Sequence, residues 1–284
     1  MSPTNDDPLP ARPPLDQAAL RAAIIRPGAL WQDLTVVTST GSTNTDLAAQ
    51  ATRATQAPEG TILIAEEQRQ GRGRMGRSWL SPPRSSLMFS VLLRPAEVPP
   101  ARRGWIPLLA GVAAATAVRR VTNVPATLKW PNDLLVADRK LAGILAEQSG
   151  DAIVVGLGIN VTTTQAELPQ PAATPGALPA TSLWLEHATS LDRAALLTEL
   201  LGEFEHWYQA WRRADPPGDP ETSGLRQAYL NLSATIGRDV RVERPGGRVT
   251  VGRATGLDPD GQLIVEGPAL GREAVSAGDV RHLR

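Results

Sequence analysis

Gly71-Arg72-Gly73-Arg74-Met75-Gly76-Arg77-Ser78-Trp79 is the stretch on which the fold assignment turns. It satisfies Gly-x-Gly-x-x-Gly, and with Ser78 it comes within one residue of the P-loop pattern. Either match would announce a nucleotide-binding α/β sheet. Both patterns work only where the glycines open a helix whose N-terminus faces the phosphates. Here Trp79-Leu80-Ser81-Pro82-Pro83 follows, and a pair of prolines cannot continue a regular helix. An arginine stands where the P-loop has its lysine. The stretch is therefore a long loop, and neither nucleotide fold applies.

Its charge is more telling than its glycines. From Gln68 to Ala96 there is no acidic residue, while arginines stand at 69, 72, 74, 77, 84 and 94. A chain with 29 basic and 29 acidic residues has thus placed six uncompensated cations in one stretch. Glycines let backbone approach a ligand closely, and guanidinium forks suit phosphate and carboxylate. A solvated loop or an RNA-facing surface would also be basic. Neither needs a glycine at every second position or Trp79 alongside, so an anion-binding ligand loop is expected.

Only two of the basic residues are lysines, Lys129 and Lys140. In a chain that otherwise uses arginine, these are candidates for sites needing a compact ammonium. They flank the turn-like Trp130-Pro131-Asn132-Asp133, with Lys140 expected at the mouth of a hairpin loop, Ala137-Asp138-Arg139-Lys140. Downstream, Val155-Gly156-Leu157-Gly158-Ile159-Asn160 puts two glycines on one face of a strand. That bare face would admit either a flat ligand or a closely packed helix.

Other classes are excluded by composition. The 284 residues contain no cysteine and three histidines, so disulfides, thiolate sites and His-rich metal sites are out. Zero net charge argues against wholesale nucleic-acid binding. The polar, Pro-rich start lacks the pattern of a signal peptide. The uncharged, largely apolar stretch Gly104 to Val118 is too short to span a bilayer. A cytoplasmic protein without membrane contact is expected.

Periodicity predicts a short helix over 15–25 and strands at 34–37, 61–65, 87–93, 127–129, 134–136, 141–147 and 153–161. Ser42 or Thr43 caps a helix running to about 53. Further helices are predicted near 101–121, 192–213 and 221–231. Residues 1–14 read as a disordered tail. From 236 onward short strands alternate with turns at Arg244-Pro245-Gly246-Gly247 and Asp258-Pro259-Asp260-Gly261. The expected class is α+β: a mixed sheet with flanking helices over 15–235, then a small barrel-like β domain over 236–284.

Taken in order, five segments resemble a biotin–protein ligase. They are Gly41-Ser42-Thr43-Asn44; Gln68 with the 71–79 loop; Lys129-Trp130-Pro131-Asn132-Asp133; Arg139 to Glu147; and Gly156-Leu157-Gly158-Ile159-Asn160-Val161. The resemblance implies a class II synthetase-like catalytic domain with an SH3-like C-terminal domain. It implies an activity that converts biotin, with ATP and Mg²⁺, to biotinyl-5'-AMP. The biotinyl group then passes to a lysine of the biotin carboxyl carrier protein of a biotin enzyme such as acetyl-CoA carboxylase.

The resemblance also implies roles. Ser42, Thr43, Asn44, Gln68, Arg72, Gly73, Arg74, Lys129, Gly156 and Gly158 would bind biotin. Gly71, Arg72, Arg77, Trp79, Asn132, Lys140 and Asn160 would bind ATP. Lys129, Lys140, Arg74 and Asp133 would be catalytic, Asp133 by orienting or deprotonating the acceptor lysine. It names no metal ligands and leaves pairing of two copies open. Lipoate or octanoate ligases share the implied fold, and some family members also repress transcription. The short, Pro-rich stretch before Ser42, without a basic recognition helix, favours a ligase that does not bind DNA.

Overall fold

The computed structural model describes residues 10–53, 56–169, 178–268 and 271–283. Seven strands form the main sheet: β1 (Asp33–Val37), β2 (Thr61–Ala65), β3 (Ser86–Leu93), β4 (Thr127–Lys129), β5 (Asp133–Val136), β6 (Arg139–Ser149) and β7 (Ala152–Asn160). Their spatial order is β1-β2-β3-β7-β6-β5-β4. The β1–β2 pair is parallel and every other pair antiparallel.

The two faces of this sheet differ. Leu87, Phe89, Val91, Val155, Leu157 and Ile159 point into the main core. There α3 (Trp105–Thr122) lies buried along most of its length, beneath α4 (Arg193–Arg212). Each leucine so buried contributes about 1.5–3 kcal/mol. The opposite face is half covered. Leu92, Ala152 and Val154 pack against Leu47 and Ala51 of α2 (Thr43–Ala51). Beyond α2 that face is open.

The predicted helix over 101–121 begins as a 3-10 turn at Pro100–Gly104 before α3 takes over. The hairpin after β5 is tighter than expected. Ala137 and Asp138, both left-handed at φ 46° and 61°, form the whole turn. A two-residue hairpin turn requires that backbone. Arg139 and Lys140 consequently belong to β6, and Lys140 is paired within the sheet.

The expected tail departs further from the reading. Residues 1–9 lie outside the described residues. Residues 10–14 are strapped down: Arg12 donates to the Glu167 carboxylate at 2.7 Å and to the Thr162 carbonyl at 2.8 Å. The Pro13 carbonyl accepts from Arg193 at 2.6 Å, and the Leu15 N–H donates to Glu66 at 2.6 Å. Arg193 and Glu66 form a buried ion pair, also at 2.6 Å. The strap completes the hydrogen bonding of two buried charges, which periodicity does not reveal.

After α5 (Leu225–Leu232) the chain forms a second, antiparallel sheet in the order β11-β10-β9-β8-β12. Its strands are β8 (Asp239–Glu243), β9 (Val249–Leu257), β10 (Leu263–Gly267), β11 (Gly271–Val275) and β12 (Asp279–His282). Among the described residues no pairing of β11 with β12 closes it into a ring. Trp130 and Trp105 donate their indole N–H groups to the carbonyls of Gly261 and Pro259, at 3.1 and 2.9 Å. These bonds seat the β domain against the catalytic sheet and leave β12 facing the open face. No helix among the described residues is long and apolar enough to cross a membrane.

Candidate active site

The open face carries a row of residues that runs across strands by register: Met88 of β3, Gly158 of β7, Gly143 of β6, Asp133 of β5 and Lys129 of β4. Two glycines in the middle and charges at one end make a flat floor with an electrostatic edge. Above it lies a cleft of about 350 Å³. The 71–79 loop covers one side, the start of α2 closes one end, and β12 of the second sheet stands at the other.

At the α2 end, Ser42 is the N-cap, as its residue type predicts. The Thr43 N–H donates to Gln68 Oε1 at 2.8 Å, which turns the Gln68 amino group away from Thr43. Ser90 Oγ lies 2.6 Å from Asn44 Oδ1 and 2.7 Å from Thr43 Oγ1. The Asn44 amino group donates to the Leu145 carbonyl and to Glu147. Asn44 is thus largely committed to the protein. The Ser42 hydroxyl and the Gln68 amino group remain to meet a ligand.

At the charged edge, Lys140 Nζ lies 2.6 Å from Asp133 Oδ1, and Lys129 Nζ lies 3.7 Å from Asp133 Oδ2. One carboxylate therefore holds both lysines side by side. Burial pushes the Lys129 pKa down; Asp133 opposes this, and Lys140 and Arg77 add to it. Burial likewise lowers that of Arg74, with Asp133 opposing. Arg74 donates to Asn132 Oδ1 at 3.1 Å, and the Asn132 amino group donates to the Ile144 carbonyl at 2.9 Å. Asn132 thereby ties the loop arginine to the sheet. An arrangement of cations held out of water is suited to bringing two anions together.

The loop is closed at its base by Gly71. A Cβ there would stand 2.1 Å from the Trp79 carbonyl oxygen, so only glycine permits this approach. Trp79 lies over the floor. A Cβ on Gly158 would meet its indole at 2.6 Å, and one on Gly143 at 3.2 Å. The expected bare glycine face is accordingly already occupied, Gly158 by Trp79 and Gly156 by Asn44. The free face for a ligand ring is the other side of the indole. Trp79 Nε1 is buried without a partner, and Lys140 Nζ lies 5.9 Å from the ring centroid.

Most of the sequence-predicted site residues converge on this cleft; two do not line it. Gly71 serves the loop's base. Asn160 is 5% exposed, donates to the Thr181 carbonyl at 2.9 Å, and lies 3.4 Å from Ser86 Oγ. The ATP-binding role expected of it is corrected to a structural one, since its side chain is buried in contacts away from the cleft. Reading the sequence missed Asp279, Val280 and Arg281 of β12, which reach the cleft from the second sheet, with Asp279 ion-paired to Arg77. It also missed Pro169, Leu178 and Ala180. No local pattern marks these residues: the docking of the two sheets brings the β12 residues here, and a bridge to Lys140 brings Ala180. Among the described residues no group of three His, Cys, Asp or Glu could hold a metal ion.

Residues 36–162 match the Biotin/lipoate A/B protein ligase family, and residues 235–283 match the Biotin protein ligase C terminal domain. The chain is 42% identical to biotin–[acetyl-CoA-carboxylase] ligase of Mycobacterium tuberculosis, over 96% of this chain and 97% of that protein. It is 34% identical to the Paracoccus denitrificans protein of the same name, over 77% and 88%. Biotin protein ligase from Aquifex aeolicus, solved in complex with biotin and ATP, superposes with a TM-score of 0.68 at 25% identity, over 89% of this chain and all of that one. Likeness that runs through both sheets and nearly end to end is likeness of the whole molecule, and the chain belongs to the biotin protein ligase family.

Proposed function

We propose that this cleft joins biotin to ATP and passes the biotinyl group to a lysine of a biotin carboxyl carrier protein, as in acetyl-CoA carboxylase. The observation that carries this reading is the side-by-side placement of Lys129 and Lys140 on Asp133. A pocket of hydrogen-bond donors lies on one side of them, and an arginine loop with Trp79 on the other. In the first step a carboxylate oxygen of biotin attacks the α-phosphorus of ATP and pyrophosphate leaves. Both reactants are anions, and their approach is opposed until charge is neutralised. Lys129 would hold the carboxylate, Lys140 the α-phosphate, and Arg72, Arg74 and Arg77 the remaining charge. In the second step the neutral amine of the acceptor lysine attacks the acyl carbon of the anhydride, AMP leaves, and the amine's proton is lost.

Ser42 and Gln68 offer donors suited to the carbonyl of biotin's ureido ring, and Trp79 offers its outer face to adenine. Both Asp133 oxygens face ammonium groups, which favours orienting the lysines over acting as a base. Closing the loop would keep water from the anhydride. Mg²⁺ finds no cluster of protein ligands among the described residues, so it would enter with the phosphates of ATP and help neutralise their charge. A lipoyl ring would leave the donors of Ser42 and Gln68 unmatched, a costly loss in a buried site. Incubation with ATP, Mg²⁺, biotin and a carrier domain, read by streptavidin blot, tests the proposal. Labelling of the carrier is expected, and its absence together with labelling by lipoate would overturn it.

A further inference from the structure

Glu147 ends the Arg139–Glu147 segment and is neither among the binding nor among the catalytic residues. It sits on β6, on the open face of the sheet, where register pairs it with Val154 of β7. Its carboxylate accepts from the Asn44 amino group at 3.0 Å and pairs with Arg72 at 2.9 Å. A carboxylate can only accept, so its neighbour must present hydrogens to it. The Leu145 carbonyl imposes the same demand on the other Asn44 hydrogen, at 3.1 Å. The Asn44 carboxamide is thereby held with Oδ1 toward Ser90, only 2.1 Å from where a Gly156 Cβ would stand. Ser90 has a single hydrogen. It is shared between Asn44 Oδ1 and Thr43 Oγ1, and the Thr43 hydroxyl in turn donates to Gln68 Oε1 at 3.1 Å. The Thr43 N–H then fixes Gln68 with its amino group outward. Glu147 and the Leu145 carbonyl therefore set the Asn44 end of this chain, while the Thr43 N–H sets its Gln68 end.

The same carboxylate anchors Arg72, the first arginine of the covering loop. We propose that Glu147 is a positioning residue for ring recognition: with the Leu145 carbonyl it holds the Asn44 carboxamide toward Ser90 at the donor end of the cleft, and it tethers the Arg72 end of the loop above it. This rests on the biotin reading of the site. Glu147 itself does not line the cleft, so it acts through Asn44 and Arg72.

The test is biotin calorimetry and steady-state kinetics on the full-length protein. Glu147→Ala removes both contacts, whereas Glu147→Gln keeps an acceptor for Asn44 but loses the charge that holds Arg72. The expected result is a KM and Kd for biotin raised about tenfold in Glu147→Ala and about threefold in Glu147→Gln. Freeing Arg72, which also serves ATP, should raise the KM for ATP to a similar, smaller extent, about twofold, in both variants. Partial rescue by glutamine of the biotin effect but not of the ATP effect is what a merely structural role would not produce. If Glu147→Ala does not fold, Glu147→Gln decides alone. Biotin affinity equal to the parent's in the folded variants overturns the inference, as does an equal loss for biotin and ATP. A parent that binds no biotin overturns the functional reading and this inference with it.

Discussion

The indole of Trp79 rests directly on Gly158: a Cβ built there would stand 2.6 Å from its Cε2 atom. Gly156, two residues earlier on the same strand face, supports Asn44 instead. The two glycines thus serve opposite ends of one cleft. Gly158→Ala should lift Trp79 and raise the KM for ATP about tenfold, or ~1.4 kcal/mol, while biotin affinity changes little. Gly156→Ala should do the reverse, because it displaces Asn44. Calorimetry with each ligand on both variants checks this. The same ligand affected in both would mean that the ends are not separate.

Arg74 reaches the sheet through Asn132, whose amino group is in turn held by the Ile144 carbonyl. Arg74→Ala should leave the fold intact, since no residue of the 3-10 turn that carries it is buried. The loop would then close less tightly over the anhydride. Free biotinyl-adenylate should appear in solution and label bystander lysines, measured by streptavidin blot against an unrelated protein. A variant that retains its intermediate as the parent does would show that Arg74 does not hold the loop closed.

His282 provides a pH dependence. Its Nε2 lies 3.1 Å from Thr235 Oγ1, the group that also accepts the Trp130 N–H at 3.1 Å. Burial, followed by the nearby Arg238 and Lys129 cations, lowers its pKa from 6.5 to about 4. The unfolded chain therefore binds more protons than the folded one between these values, and stability falls as pH drops through that window. Partial exposure of the ring reduces the size of the effect. Thermal unfolding should show a lower midpoint at pH 5 than at pH 7, with a smaller difference in His282→Gln. An unchanged difference in that variant would remove His282 as the cause.

The strands and their order of appearance were legible because the apolar runs of β2, β3 and β7 are long and bounded by glycine or proline. The basic loop was legible from its missing acids, and the lysines from their scarcity. What remained hidden depends on distance in sequence. Arg77 meets Asp279 of the second sheet, Arg12 meets Glu167, and Glu147 meets Arg72. No periodicity encodes such pairs. Asn160 illustrates the converse: the motif that contains it is real, but its side chain bonds to Thr181 behind the strand.

The strap over residues 10–14 carries a stability prediction. Removing residues 1–14 deletes the Pro13 carbonyl that accepts from the buried Arg193. A hydrogen bond to a charged group is worth about 1.5–3 kcal/mol. In a protein of this size that corresponds to a midpoint lowered by several degrees, at roughly 2–4 °C per kcal/mol. Arg12→Ala alone should cost about 0.2–1 kcal/mol, because its pair with Glu167 is partly exposed. Differential scanning fluorimetry on both variants checks this ordering. A truncated chain as stable as the parent would mean that the strap merely lies on the surface.

The two lysines carry the sharpest expectation. Lys129→Arg and Lys140→Arg keep the charge, and this chain uses arginine almost everywhere else. Were the lysines merely solvated, the change would cost under about 0.5 kcal/mol. Instead each ammonium meets a separate oxygen of Asp133, at 3.7 and 2.6 Å, inside a cleft already lined by three loop arginines. A guanidinium is wider and places its charge farther along the side chain, so it cannot share that carboxylate in the same way. Misplacing a preorganised charge costs about 10²–10³ in rate, or roughly 2.7–4 kcal/mol. Lys129→Arg should mainly weaken biotin binding, because Lys129 is the more buried of the two and would face the carboxylate. Lys140→Arg, beside Trp79, should mainly slow adenylation with biotin still bound. Pyrophosphate release and biotin calorimetry on both variants separate these effects, and parental values in both would remove the lysines from the reaction.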